Sequence, residues 1–144
     1  MIHHYTFSVL GGDRRMVYAA QMLAMAGFRV LTFGLTDVPC QQVTVCDQAE
    51  EALHADFILL PVPISRDGRT LFAPALRSPL FISEILEKTP SHATVFGGKT
   101  DVFSDPRLAD YGVRADFSAL NALPTAEGAL LLAMEHLQIG RAHV

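Results

Sequence analysis

An open, mostly parallel, doubly wound α/β sheet with flanking helices, of the flavodoxin or Rossmann kind, is the fold class this sequence predicts. Three observations carry it. Residues 5–10 are a short apolar run of β formers that stops at Gly11-Gly12, a helix-period stretch follows, and residues 28–33 are apolar and β-rich again. Strand, glycine turn, helix and strand in that order open a parallel sheet. The alternation then recurs about five times along the chain. Finally, 50% of the residues are hydrophobic and only 18% are charged, the balance of a sheet buried on both faces.

Each element has its local reason. Asp13 can cap a helix running to about Ala26, with Val17, Ala20, Leu23, Ala24 and Gly27 inward and Gly27 closing it. Residues 43–46 read as a short extended piece, 47–55 as a brief helix and 56–60 as a buried strand. Pro61-Val62-Pro63-Ile64-Ser65 ends that strand, since proline cannot serve a central ladder. Asp67-Gly68 signals a turn, read as a small hairpin into residues 70–72. Further expectations are a helix over 83–88, a strand over 94–96, a helical turn over 105–111 and a short strand over 114–117. Pro124 suits the first turn of a last helix whose apolar face is Ala126, Ala129, Leu130, Ala133, Met134 and Leu137. Met22, Met25 and Met134 read as core filler, and Glu50-Glu51 as a solvated helix face.

With 144 residues the chain suits one domain with a real core. Its net charge of −4 gives no general attraction to nucleic acid, and no apolar run approaches the roughly 20 residues of a membrane span. No leader-like apolar segment follows Met1, and Cys40 and Cys46 fit no zinc spacing with the histidines, so no metal site and a reducing cytoplasm are expected.

Ligands of open α/β sheets collect outside the carboxyl ends of the strands. Three loops leave in that direction. In Gly11-Gly12-Asp13-Arg14-Arg15 the glycines can free backbone N–H groups beside a helix start and the arginines can grip a carboxylate or phosphate; the other reading is a tight turn with two solvated arginines. No third glycine completes a GxGxxG fingerprint, so a dinucleotide site here is not expected. In the second loop Ser65 offers a hydroxyl beside rigid prolines, or the loop is a plain strand exit. The third, Gly97-Gly98-Lys99-Thr100, fails the GxxxxGK[ST] spacing because Ala93 stands where the first glycine belongs, although Lys99 can supply a point charge for an anion. At the last helix, Asn121 or Thr125 can accept a bond from a free N–H and Glu127 adds negative charge near the positive end; Gly128 leaves room for a ligand. The same residues equally describe a well-capped core helix. No nucleophile–base pair is readable; His54 and His136 belong on helices, partly exposed, and His92 just before a strand.

Taken together, the sequence resembles the family of dipicolinate synthase A subunits. The marks are Gly11-Gly12-Asp13 with Arg15, Leu60-Pro61-Val62 closing a strand, Lys88-Thr89-Pro90 leading to Val95-Phe96-Gly97, and Pro124-Thr125-Ala126-Glu127-Gly128-Ala129 opening the last helix. Pro63 and residues 66–73 depart from the family pattern. The resemblance implies a substrate-type α/β domain over 1–122, the start of an interdomain connecting helix over 123–138, and a Rossmann domain beyond the chain that carries NAD(P). It implies NAD(P)-dependent oxidation of a dihydrodipicolinate-type dicarboxylate to dipicolinate in the mother cell of a sporulating bacterium. The partner it implies is the dipicolinate synthase B subunit, with a homo-oligomer as a further possibility. This piece alone is expected to be inactive. The substrate-binding candidates are Gly11, Gly12, Asp13, Arg14, Arg15, Ser65, Gly97, Gly98, Lys99, Asn121, Thr125 and Glu127, and the acid–base candidates are Glu127 and His92. Residues 139–144, Ile-Gly-Arg-Ala-His-Val, read as one frame of a common sequencing adapter and are expected to be a non-native tail. The competing expectation is a flavodoxin-like or receiver-like signalling or interaction module without its own chemistry. A receiver needs an acidic pair after its first strand, where this chain offers Asp13 alone.

Overall fold

A computed structural model describes residues 5–35, 38, 42–97, 105 and 108–110. β1 (Thr6–Leu10) leads through Gly11-Gly12 into α1 (Arg14–Met25), and β2 (Arg29–Phe33) and β3 (Val43–Val45) follow. α2 (Ala49–Ala52) precedes β4 (Phe57–Leu59), α3 (Ile82–Lys88) precedes β5 (Thr94–Gly97), and β6 (Leu108–Asp110) lies at the far edge. The six described strands all pair in parallel, in the spatial order β3-β2-β1-β4-β5-β6. The doubly wound expectation therefore holds. The chain winds outward one way from β1 to β3, returns to the middle, and winds the other way from β4 to β6.

Two-residue alternation sorts the strands into two apolar layers. Phe7, Val9, Val30, Phe57, Leu59 and Phe96 face α1's Met16, Ala20, Leu23 and Ala24. Leu10, Leu31, Ile58, Leu60 and Val95 face the other way, against Ala52 and Leu53 after β3 and Ile82 and Ile85 of α3. On the α1 side the rings form a row. Phe57 stacks on Phe7 at 5.0 Å and on Phe96 at 6.0 Å, while Phe28 meets Phe7 edge-on at 4.9 Å. Phe7 and Phe57 are partners in the β1–β4 register, so this row seals the seam where the two halves of the sheet meet. Outside the core, Lys88 Nζ reaches Glu50 Oε1 at 2.7 Å, tying α3 to α2. That bond holds the Glu50 carboxyl below and the Lys88 amine above their usual pKa ranges, but both are exposed and the link adds little stability.

Several expectations need correction. Residues 108–110 are strand, not helical turn: Val95, Phe96 and Gly97 of β5 pair with Leu108, Ala109 and Asp110, because a buried strand's free backbone edge needs partners whatever the local propensity. No hairpin forms across Asp67-Gly68. Thr70 bridges to Phe81 instead, and Leu71 N–H donates to Leu80 O, because the Asp67 carboxylate takes the Arg69 and Thr70 N–H groups at 2.8 and 2.7 Å. α2 is four residues long, since the Ala55 N–H already turns to Leu53 O at 2.9 Å. The inner face of α1 is Met16, Ala19, Ala20, Leu23 and Ala24; Val17 is half-buried and Gly27 exposed. Met25 is 76% exposed rather than core filler, because the helix repeat puts it on the outer face with Tyr18, seven residues earlier. The expected strand over 114–117, the last helix and the 139–144 tail lie outside the described residues. No described helix is long and apolar enough to cross a membrane.

Phe57→Ala should cost about 3–5 kcal/mol in urea unfolding, since the ring is 4% exposed at the seam. Tyr18→Ala on the outer face should change stability by less than about 0.5 kcal/mol. Equal effects of the two would mean that the aromatic row is not what closes the sheet.

Candidate functional site

The winding direction reverses between β1 and β4, and a crevice opens outside their carboxyl ends at such a switch point. Residues 11–15 leave β1 there, and Leu60-Pro61-Val62 leave β4 there, followed by a cis Val62–Pro63 peptide.

β1 ends in two residues of positive φ, Gly11 at +63° and Gly12 at +91°. Their N–H groups are not free, which corrects the expectation that they supply donors to a ligand. Gly11 donates to Phe33 O at 2.9 Å, and Gly12 donates to Phe72 O at 2.7 Å. A methyl on Gly11 would meet Leu71 Cδ2 at 2.8 Å and Phe72 O at 3.0 Å; one on Gly12 would overlap Met16 and meet Pro61 Cβ at 3.0 Å. Only glycine admits this conformation and this packing together. The turn is a junction binding β1, the end of β2 and the segment through Phe72.

Asp13 caps α1, accepting from Arg15 N at 3.0 Å. Its carboxylate also takes Arg15 Nε and Nη2, each at 3.0 Å, and Nη2 reaches on to Val62 O at 3.2 Å. The Arg15 guanidinium and N–H hold the Asp13 carboxyl below its ordinary range. Arg15 thus clamps the β1 exit to the β4 exit through Nε and Nη2. Among the described residues no hydrogen bond occupies its Nη1, and no ion pair holds Arg14, which is exposed at the first turn of α1.

A nucleotide pyrophosphate does not fit this turn. The α1 N-terminus, where a phosphate would sit, already carries the Asp13 carboxylate, and both glycine N–H groups are used.

Beside the junction, Arg66, Asp67 and residues 70–74 line a wide-open cavity of about 330 Å³. Ser65, expected to offer its hydroxyl, instead donates to Asp67 Oδ1 at 2.9 Å and accepts from Gly68 N. Asp67 also accepts from Arg69 N, Thr70 N and Thr70 Oγ1, and these four donors hold its carboxyl far below the usual range. Arg66 lies over the Phe72 ring, its Cζ 4.3 Å from the centroid. Neither Arg66 nor Phe72 belongs to a sequence motif; only the folded segment brings them together.

Gly97 ends β5, buried one strand away from the switch point. His92 precedes β5 at the opposite, amino edge of the sheet, 3.3 Å from Asp56, whose other oxygen accepts from Thr6 N. It therefore cannot share the crevice with Arg15. Gly98, Lys99, Asn121, Thr125 and Glu127 lie outside the described residues. Buried Cys46, directly after β3 and two strands from β1, has its thiol pKa pushed up by burial.

Residues 6–115 match the family model described as the N-terminal domain of the dipicolinate synthase A subunit. The chain belongs to that family. The dipicolinate synthase A subunit of Bacillus subtilis (strain 168) is 24% identical over 159 residues, covering 94% of this chain and 50% of that protein. The crystal structure of the dipicolinate synthase A chain from Bacillus subtilis superposes with a TM-score of 0.65 at 22% identity, covering 92% of this chain and 48% of that one. A D-isomer specific 2-hydroxyacid dehydrogenase from Xanthobacter autotrophicus Py2, solved in complex with NADPH and MES, shares the fold at a TM-score of 0.50 and 18% identity, over 81% of this chain and 45% of that one. The chain spans about half the length of the curated relative it matches.

The stability that Asp67 supplies is complete above the ordinary carboxylate pKa of 3.8 and drains away as pH falls from there towards its depressed folded value. Asp67→Asn should therefore unfold at lower urea than the parent at about pH 6, and the gap should narrow by about pH 2.5. A gap independent of pH would show that the turn does not depend on the charge.

Proposed function

We propose that this chain is the substrate-side lobe of a dipicolinate synthase A subunit, whose whole protein oxidises a dihydrodipicolinate-type dicarboxylate to dipicolinate with NAD(P) during sporulation. The observation that carries the reading is the switch-point crevice of a family member whose helix start is closed to a pyrophosphate but still offers guanidinium donors. A ring with two carboxylates needs such donors, and the Arg15 Nη1 edge and Arg14 stand beside the crevice to provide them.

In this reading residues 1–122 form the substrate lobe, 123–138 begin the connecting helix, and 139–144 are a non-native tail. A following lobe holds the coenzyme, which accepts the hydride. This chain's own residues bind the dicarboxylate and orient its ring. Asp13 fixes the Arg15 guanidinium, and the glycine junction keeps the loop after β4 in place. Gly97, Gly98, Lys99, Asn121 and Thr125 complete the substrate surface, with Glu127 the remaining acid–base candidate at the domain crossing. The B subunit is the partner, a homo-oligomer is compatible, and the mother-cell cytoplasm is the compartment. The piece by itself does not turn over.

In the full-length protein, Arg15→Ala should raise the substrate KM about tenfold or more, the usual scale for losing a charged hydrogen-bond donor. Its unfolding free energy should stay within about 1 kcal/mol, because the Asp13–Arg15 pair is solvent-exposed. Lost folding with unchanged KM would make the arginine structural. A gene that continues past Leu137 without a strand and GxGxxG within about 20 residues would remove the two-lobe reading.

A further inference from the structure

The geometry points to Arg66, stacked on Phe72 at the mouth of the cavity between Ile64 and Pro74, as the anchor for the second carboxylate of the substrate. This rests on the dicarboxylate reading above and adds to it a binding residue and a pocket.

The platform is built before any ligand arrives. Phe72 is pinned through both backbone groups, its N–H to Ile64 O at 2.7 Å and its carbonyl to Gly12 N at 2.7 Å. The ring is thereby fixed relative to the end of β1. Arg66 stands between Ser65 and Asp67, whose side chains knot the turn together. The stacked guanidinium keeps one face on the ring and leaves its N–H edges in the plane, the arrangement that meets a carboxylate through two parallel bonds.

The charge is also available. Asp67 is the adjacent acid, but its oxygens are taken by Ser65 Oγ, Arg69 N, Thr70 N and Thr70 Oγ1. Among the described residues no ion pair engages Arg66. Asp13, at the β1 exit, is held by Arg15.

Size and lining fit a small flat ring. The cavity of about 330 Å³ has Leu71, Phe72, Ala73 and Pro74 as apolar walls and Arg66, Thr70 and the internally bonded Asp67 as its polar side. That is the low end of the roughly 300–1,000 Å³ range of ligand pockets, enough for one planar ring and too little for a dinucleotide. The pocket adjoins the first anchor through the backbone: Arg15 holds Val62 O at one end of the loop, and Gly12 holds Phe72 O at the other. A guanidinium on the clamped loop, Arg66, and one holding its start from α1, Arg15, suit a ligand with two carboxylates better than a ligand with one.

The test titrates the full-length protein with pyridine-2,6-dicarboxylate and pyridine-2-carboxylate and reads the ratio of their dissociation constants. Arg66→Gln should weaken the dicarboxylate about 10- to 100-fold, the span of one charge-assisted contact, and bring the ratio close to one. Arg66→Lys should recover part of the preference, and Phe72→Leu, which keeps an apolar wall but removes the stacking surface, should lose part of it. An unchanged ratio in Arg66→Gln overturns the inference. If Arg15→Gln alone abolishes the preference, the proposed function stands and Arg66 is not the second anchor. If the unaltered full-length protein binds neither compound, the dicarboxylate reading falls and this inference falls with it.

Discussion

At the end of β1 the chain turns through two consecutive residues of positive φ, and both amides leave that turn engaged, Gly11 with Phe33 O and Gly12 with Phe72 O. In a parallel sheet with this strand order, the same position is where backbone amides and a helix start commonly hold phosphate. Here the amides hold protein. One bond fastens β1 to the end of β2, its register neighbour. The other draws the segment through Phe72 down onto the glycines, where only a residue without Cβ leaves space. The shape of the crevice follows from this. The loop after β4 is not free to swing, Arg15 can reach across to Val62, and the cavity beside Phe72 has a fixed wall.

Charge is arranged around that junction against the balance of the whole molecule. The chain is acidic, with a net charge of −4. Yet Asp13 and Asp67, two acids beside the crevice, are internally satisfied, Asp13 by Arg15 and the α1 amide, Asp67 by four donors of its own turn. Both carboxyls are held below their ordinary pKa range, so both stay ionised and bound in place at neutral pH. Neutral donors do not cancel the Asp67 charge, but they engage its oxygens, and among the described residues no ion pair ties it to Arg66. Arg14, Arg15 and Arg66 stand with these two acids at one end of the sheet, so the local grouping of charges, more than the net charge of the chain, sets the field there.

What could be read from the sequence followed the strength of local signals. β1, α1, β2 and β4 were legible because uninterrupted apolar runs, an Asp cap and paired glycines all agree on the same element boundaries. β6 was not, since residues 108–110 are short and without a β pattern, and only the open edge of β5 makes them a strand. The turn at Asp67-Gly68 was recognised, but its carboxylate's capture of two amides redirected the pairing from a hairpin to Phe81. Arg14 and Arg15 can be nominated from the sequence because they follow a glycine turn. The glycine amides were misassigned because a sequence does not say which carbonyl will come to meet an N–H, and Phe72 O lies sixty residues downstream of Gly12. The pairing of Arg66 with Phe72 left no trace in spacing for the same reason.

The chain also separates topology from chemistry. Its strand order is that of dinucleotide-binding domains, and a fold shared with an NADPH-bound dehydrogenase would by itself invite the same assignment. Three local features argue otherwise: a carboxylate rather than a glycine at the helix cap, two amides spent on carbonyls, and a guanidinium lying across the mouth. Reverting any one of them would not restore a phosphate cradle. Removing the Asp13 carboxylate still leaves Gly12 bonded to Phe72, and freeing Gly12 would release the loop that walls the cavity. In the proposed reading, the anion preference at this end of the sheet rests on a coupled group of contacts, in which an arginine edge replaces the backbone as donor. A guanidinium matches the planar, two-oxygen shape of a carboxylate, whereas an array of amides at a helix start suits a tetrahedral phosphate.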